Sequence, residues 1–275
     1  MSDQKKILGL VGSPNKDGLT NRLVSRALEG AAKAGAATEL VQMSDHLIET
    51  CHDCLPWVCR QNMKCTYEDP GFEFLSNAIL NCKGLIIGTP VYWGDTSAQV
   101  RLLMIKMVRV CLSQIQNKHA MNLPAFGIAV AGGSGNGLLS ALHPLYHFFR
   151  FLRFRAIEPL PVTKFNLKQS EITAEESGYK IAKMAEQHKP FENRNECQLW
   201  HDSLPYHGED LTAERRLLAA IISEAVPEGN REEIKGNLAR ADILAAAGNT
   251  LESITEISAI IDSGTEIINR NSSAG

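Results

Sequence analysis

The chain has no surplus of positive charge: 28 Lys plus Arg face 31 Asp plus Glu, a net charge of -3. Phosphate-backbone binding relies on excess Lys and Arg, so this balance excludes nucleic acid as the main partner. Long apolar runs are missing too. None approaches the roughly 20 residues that cross a bilayer, so no membrane role is expected. The polar stretch from Met1 to Lys6 lacks the charged, apolar and small-residue order of a secretory signal, and a cytoplasmic location is expected. Nor does the chain contain G-x-S-x-G, H-E-x-x-H, Walker A or G-x-G-x-x-G, and no acid–base pair stands out. Nucleotide hydrolysis and fingerprint-type dinucleotide binding are therefore poor first guesses.

Alternation of short apolar runs with amphipathic stretches is what the chain does have. Strands are expected at 6–11, 38–42, 84–88, 125–131 and 156–162, and helices at 21–34, 71–81, 96–112, 138–152 and 173–187. Five strands with intervening helices predict an α/β fold, a flavodoxin-like doubly wound parallel sheet. Pro159 and Pro161 put the last strand at a sheet edge, because proline cannot donate to the ladder. At 275 residues the chain is longer than one such domain. We expect a domain over 1–188 and a helical C-terminal extension over 189–275. In the extension, 191–208 reads as irregular, followed by helices at 211–225, 231–247 and 250–269. The last of these presents Leu251, Ile254, Ile257 and Ile261 as an apolar stripe.

Three loops follow strands one, three and four, where open parallel sheets bind ligands. The first, Gly12-Ser13-Pro14-Asn15-Lys16-Asp17-Gly18-Leu19-Thr20-Asn21, combines turn-forming glycines with polar donors and one cation. With the unpaired amides of the next helix it forms a phosphate cradle. The second runs through Pro90, Val91, Tyr92, Trp93 and Gly94 and offers aromatic faces on a stiffened backbone. The third, Gly132-Gly133-Ser134-Gly135-Asn136-Gly137, offers bare amides that let a planar ligand approach. A phosphate at one end and a flat ring at the other describes FMN.

Cys51-x2-Cys54-x4-Cys59-x5-Cys65 packs four of the seven cysteines into the loop after strand two. Structural zinc sites pair two C-x2-C knuckles, and one alone is present. A compact four-thiolate run suits a 4Fe-4S cluster better, with zinc or free thiols as alternatives. Cys82, Cys111 and Cys197 read as structural. The segment from His143 to Arg155 interleaves basic and aromatic residues, but Leu138, Leu142, Leu145, Phe149 and Leu152 repeat at helical spacing, so packing explains it. Cys197-x3-His201-x5-His207 fits no standard metal spacing. Asp210 and Glu214 are expected to complement the dipole of the helix they open.

GSPNKDGLTN, GTPVYWGDTSAQV and AGGSGNG resemble the three flavin loops of the flavodoxin-like NADPH-dependent FMN reductase family. The four cysteines, followed by Glu68-Asp69, resemble the iron–sulfur flavoprotein subgroup, although four residues separate Cys54 from Cys59 where that subgroup usually has two. The resemblance covers residues 5–187. It implies that Ser13, Lys16, Gly18, Thr20 and Asn21 hold the phosphate. Asn15 stands where the family commonly has Arg, which leaves more of that charge to Lys16. Residues 90–94 would then lie along the isoalloxazine, with Gly132, Gly133, Ser134 and Gly137 closing its other side. Further implications are electron transfer between FMN and a 4Fe-4S cluster on Cys51, Cys54, Cys59 and Cys65, with NAD(P)H as a donor. The partner would be a redox protein or a small-molecule acceptor, and the chain a homo-oligomer. Two alternatives stand beside this: an NAD(P)H-dependent flavin or quinone reductase without a cluster, and a zinc-stabilised binding module.

Overall fold

Apolar runs without polar alternation need cover on both faces. Strands β1 (Ile7–Val11), β3 (Gly84–Pro90) and β4 (Pro124–Ala131) are accordingly buried along their whole length. The computed structural model describes residues 6–54, 56–116, 122–133, 135–205 and 211–272. Strand β2 (Thr38–Gln42) pairs with β1, and the order across the parallel sheet is β2-β1-β3-β4. Helices α1 (Leu19–Lys33) and α6 (Leu167–Gln187) cover one face, where Ile7, Val11 and Ile86 meet Leu23, Val24 and Ile181. On the other face, Leu8, Leu85 and Ile87 meet α3 (Pro70–Leu80), α4 (Ala98–Gln116) and α5 (Leu138–Phe151). The expected fold class is present, with the flavodoxin-like order.

The expected fifth strand is two short ones, β5 (Arg155–Ala156) and β6 (Leu160–Thr163), both parallel to β4. Ala125 faces Ala156 and Ile128 faces Leu160, so three steps on β4 match four on its neighbour. The extra residue falls in the stretch holding Pro159, and a bulge at a donor-less residue breaks the ladder.

Two segments expected to be irregular contain helices. Pro56 opens α2 (Pro56–Asn62) inside the cysteine loop, in the first-turn position where its missing N–H costs nothing. Asn193 caps α7 (Arg194–Asp202) by accepting from Glu196 N at 2.9 Å, and Glu196 accepts from Glu192 N at 2.6 Å. That is a variant of the capping box, closed on the residue before the cap rather than on the cap itself. Cys197 therefore lies on a helix.

The extension continues with α8 (Leu211–Ala225), α9 (Glu228–Ala246) and α10 (Thr250–Ser272), which share a cluster of Ile222, Val226, Ile234, Leu238, Ile257 and Ile260. Leu251 is exposed rather than part of the buried stripe. The face of α10 that packs runs through Ser253, Ile257, Ile260 and Gly264.

Candidate functional site

The first loop is tied to its neighbours before it reaches α1. Gly12 N donates to Gly88 O at 2.8 Å, and a Cβ at Gly12 would strike Val100 and crowd the Ser97 hydroxyl. Ser13 is buried; its Oγ accepts from Asn15 N at 3.2 Å, and its carbonyl accepts from Gln42 Nε2. Asn15 Oδ1 accepts from Asp17 N at 3.0 Å, an Asx turn that delivers Gly18 to the head of α1. Among the described residues no side chain caps α1, and its first turn holds no acid. Its leading amides and positive dipole end therefore remain available to an anion. Thr20 is buried, and Asn21 Nδ2 donates to Gln42 Oε1 at 3.2 Å. The Lys16 ammonium is instead engaged by Asp45 at 2.7 Å, in an exposed pair.

In the second loop Tyr92 and Asp95 exchange backbone hydrogen bonds, 2.9 and 3.1 Å. Between them Trp93 (φ +52°) and Gly94 (φ +73°) form the left-handed pair of a type I′ turn. Tryptophan seldom adopts such a φ, and backbone strain of this kind gathers at functional sites. Its indole is fully exposed, and the Tyr92 ring is half exposed beside it. The Thr89 hydroxyl accepts from Ser97 N at 3.0 Å, and Ser97 Oγ accepts from Val100 N at 3.5 Å, closing the head of α4. In the third loop none of the described residues lies near a Cβ built on Gly132 or Gly133, so on the described side these glycines border open space. At Gly137 (φ +87°) a Cβ would strike Val91 and Gly94. The second and third loops thus lean on each other, and all three loops share one rim. Ser134 lies outside the described residues.

Asp210 lies outside the described residues; Glu214 stands in the first turn of α8 as expected, but it does more than serve that helix. Its carboxylate crosses to the head of α5 and accepts from Gly137 N (2.7 Å), Leu139 N (2.9 Å), Ser140 N (3.3 Å) and Ser140 Oγ (3.5 Å). Nothing in the spacing of the sequence links residue 214 to residue 137, so sequence reasoning missed it.

The cysteine loop is held from behind by α4. Arg109 donates to Asp53 at 2.5 Å and to Cys54 O at 3.4 Å, and its guanidinium pKa is raised first by the Asp53 bond, with smaller contributions from Cys51 and Cys59. Cys54 Sγ and Cys59 Sγ lie 3.4 Å apart, and the hydroxyl of Thr66, next to Cys65, is 3.9 Å from each. Burial pushes the Cys59 thiol pKa up. The Cys54 and Cys59 thiols thus meet at one locus, soft donors beside a cation and of the type that suits iron–sulfur ligation. Among the described residues, however, no three His, Cys, Asp or Glu side chains stand at metal-ligand geometry. Cys82, Cys111 and Cys197 are buried, the first two in the same apolar cluster as Cys59, and burial pushes Cys111 up to about 11.

The segment from His143 to Arg155 packs as its spacing predicts, with Leu138, Leu142, Leu145, Phe149 and Leu152 buried. Its basic flank edges a groove of about 960 Å³ along α4, α5 and α7, floored by Met104, Val108 and Phe148. His201 is buried and its Nε2 lies 2.9 Å from Phe154 O, a structural contact; His207 lies outside the described residues. Among the described residues no helix is long and apolar enough to cross a membrane.

A doubly wound sheet whose strand-one, -three and -four loops converge on an open rim is the frame of a flavin-dependent oxidoreductase. The chain belongs to the NADPH-dependent FMN reductase family, which matches residues 5–165. An iron–sulfur flavoprotein of Methanocaldococcus jannaschii is 30% identical over 145 residues, 52% of this chain and 71% of that protein. One from Methanosarcina thermophila is 30% identical over 146 residues, 52% and 73% of the two chains. Among solved structures a flavone reductase aligns with a TM-score of 0.51 at 17% identity, over 66% of this chain and 63% of its own, a likeness of fold.

Proposed function

We propose that the rim binds FMN and that the four-cysteine loop holds a 4Fe-4S cluster, so that the chain passes electrons between the two. The observation that carries the flavin half concerns the three helices that follow the three loops. The head of α4 is closed by Ser97 and that of α5 by Glu214, while α1 has no cap. One anion place is therefore left open among them, as a single phosphate group requires. Next to it stand an exposed aromatic ledge, Tyr92 and Trp93, and the open glycine floor of Gly132 and Gly133.

When bound, FMN accepts two electrons as a hydride and releases them singly, and a 4Fe-4S cluster takes them one at a time. The residues of this chain bind and orient. Ser13, Asn15, Gly18, Thr20 and Asn21 shape the phosphate cradle, and Lys16 contributes charge from its exposed pair with Asp45. Residues 90–94 set the ring plane, and Gly132, Gly133 and Gly137 back it. Cys51, Cys54, Cys59 and Cys65 are the proposed ligands, and Arg109 offsets their negative charge. NAD(P)H is the proposed donor and a redox protein or small molecule the acceptor. Residues 1–188 form the flavin domain and 189–275 its extension. Exposed Ile105 and Phe151, at the groove along α4 and α5, support assembly of copies.

A reductase without a cluster is the second reading, favoured by the fact that, among the described residues, Cys54 and Cys59 are the one pair of these thiols in contact. Anaerobic purification followed by flavin, iron and sulfide assays decides between them. About one FMN with about four iron and four sulfide per chain, reducible by NADPH, supports the full proposal. FMN without iron supports the second reading, and colourless protein overturns both.

A further inference from the structure

Residues 189–275 lie outside the family match, yet one of their carboxylates sits within the rim. Burying a carboxylate is costly unless its lone pairs are filled. Here three backbone amides and one hydroxyl fill them, at the positive end of α5, and that charge-assisted geometry offsets the cost. The same helix makes a second contact. Four residues on, Leu218 lies against Gly135, where a built Cβ would meet its Cδ1 at 2.6 Å. Four of the six residues from 132 to 137 are glycine, a backbone with many shapes open to it when unfastened. Glu214 fastens its last residue and Leu218 covers its middle. Gly132 and Gly133 are left facing open space beside the Tyr92–Gly94 turn.

We propose that Glu214 is a positioning residue of the flavin site, and that α8 is a working part of that site. The inference rests on the flavin reading above and deepens it. Through Gly137, which touches Val91 and Gly94, the same carboxylate also steadies the aromatic ledge. A preorganised loop spares the ligand the cost of ordering it, so loosening the loop weakens binding.

The test uses the full chain and two substitutions. Glu214→Gln keeps the shape but turns an NH2 group toward backbone N–H donors. Ile260→Ala opens a gap on α10 in the extension's own cluster, which also holds Leu218, and leaves both Glu214 and Leu218 in place. FMN affinity is read by ultrafiltration, loop fastening by amide hydrogen exchange in flavin-free protein, and ring environment by the visible circular dichroism of the saturated protein. E214Q is expected to raise the FMN Kd about tenfold, to speed exchange at Gly137, Leu139 and Ser140, and to alter the flavin bands. I260A is expected to lower Tm with the Kd within about twofold of wild type and the bands unchanged. Should E214Q not fold, Leu218→Ala carries the same expectation at about threefold. Equal FMN affinity in E214Q and wild type overturns the inference and leaves the flavin reading standing, as does an equal loss in I260A. A wild-type chain that takes up no FMN overturns the flavin reading and this inference with it.

Discussion

Asp69 concentrates three duties in one buried carboxylate. It accepts from Phe72 N at 2.9 Å to cap α3, accepts from Glu49 N at 3.1 Å to hold the start of the cysteine loop, and pairs with the ammonium of Lys106. Lys106 also donates to Glu49 O at 3.3 Å and lies 5.1 Å from the Phe72 ring centroid. Replacing one partner of such a pair strands the other charge without water. Lys106→Met should therefore cost about 3–5 kcal/mol in urea unfolding, more than a lost surface pair would. At Gly137 the argument is steric. An alanine there would hold a left-handed φ and push its methyl into Val91 and Gly94. Gly137→Ala should cost about 1–3 kcal/mol by thermal unfolding and weaken FMN binding in parallel. The motif G-S-G-N-G made a glycine need legible in the sequence, and the apolar stripe placed the start of α3 within one residue, although the Asp69 cap was not foreseen. Nor was the buried lysine that Asp69 pairs with, because 37 residues separate the two and only the fold closes that distance.

Between elements, α1 and α6 approach through two glycines. A Cβ on Gly30 would fall 1.8 Å from Glu175 O, and one on Gly178 would fall 1.7 Å from Ala27 O. The obstacle in each case is backbone, so the helices would have to part. Gly30→Ala should lower stability by about 1–3 kcal/mol despite alanine's better helix propensity, a reversal of sign that chemical denaturation can detect. Most elements could be read from period and turn chemistry, since fully apolar runs such as ILGLV and GLIIG have few other ways to be buried. The errors came where short signals compete with irregular composition. Pro56 and the Asn193–Glu196 cap each mark a helix of under ten residues, too short for an apolar period to show. The break between β5 and β6 needed the register of β4, which no single strand's sequence contains.

At the level of the whole molecule, the extension is stitched both to the domain and to itself. Leu217 joins the main apolar core, while Arg216 on α8 reaches Asp242 on α9 with two bonds of 2.6 and 2.7 Å. Those hydrogen bonds, with the attraction of the same guanidinium, hold the Asp242 carboxyl below its usual value. A carboxyl with a depressed folded pKa adds stability above its unfolded pKa, about 3.9, and loses that contribution as pH falls through the folded value. The pair is partly exposed, so its share is under about 1 kcal/mol. Asp242→Asn should lower the neutral-pH midpoint slightly, by under about 1 kcal/mol, and converge on wild type below about pH 4, so that its fall in stability with acid is shallower, as thermal scans at stepped pH will register. The split outer strand has a wider consequence. A long, even border of free N–H and C=O groups invites a neighbouring chain to zip alongside and seed fibrils. Here that border is two short pieces interrupted by a kink and two prolines, so this side of the sheet offers incoming strands no continuous template.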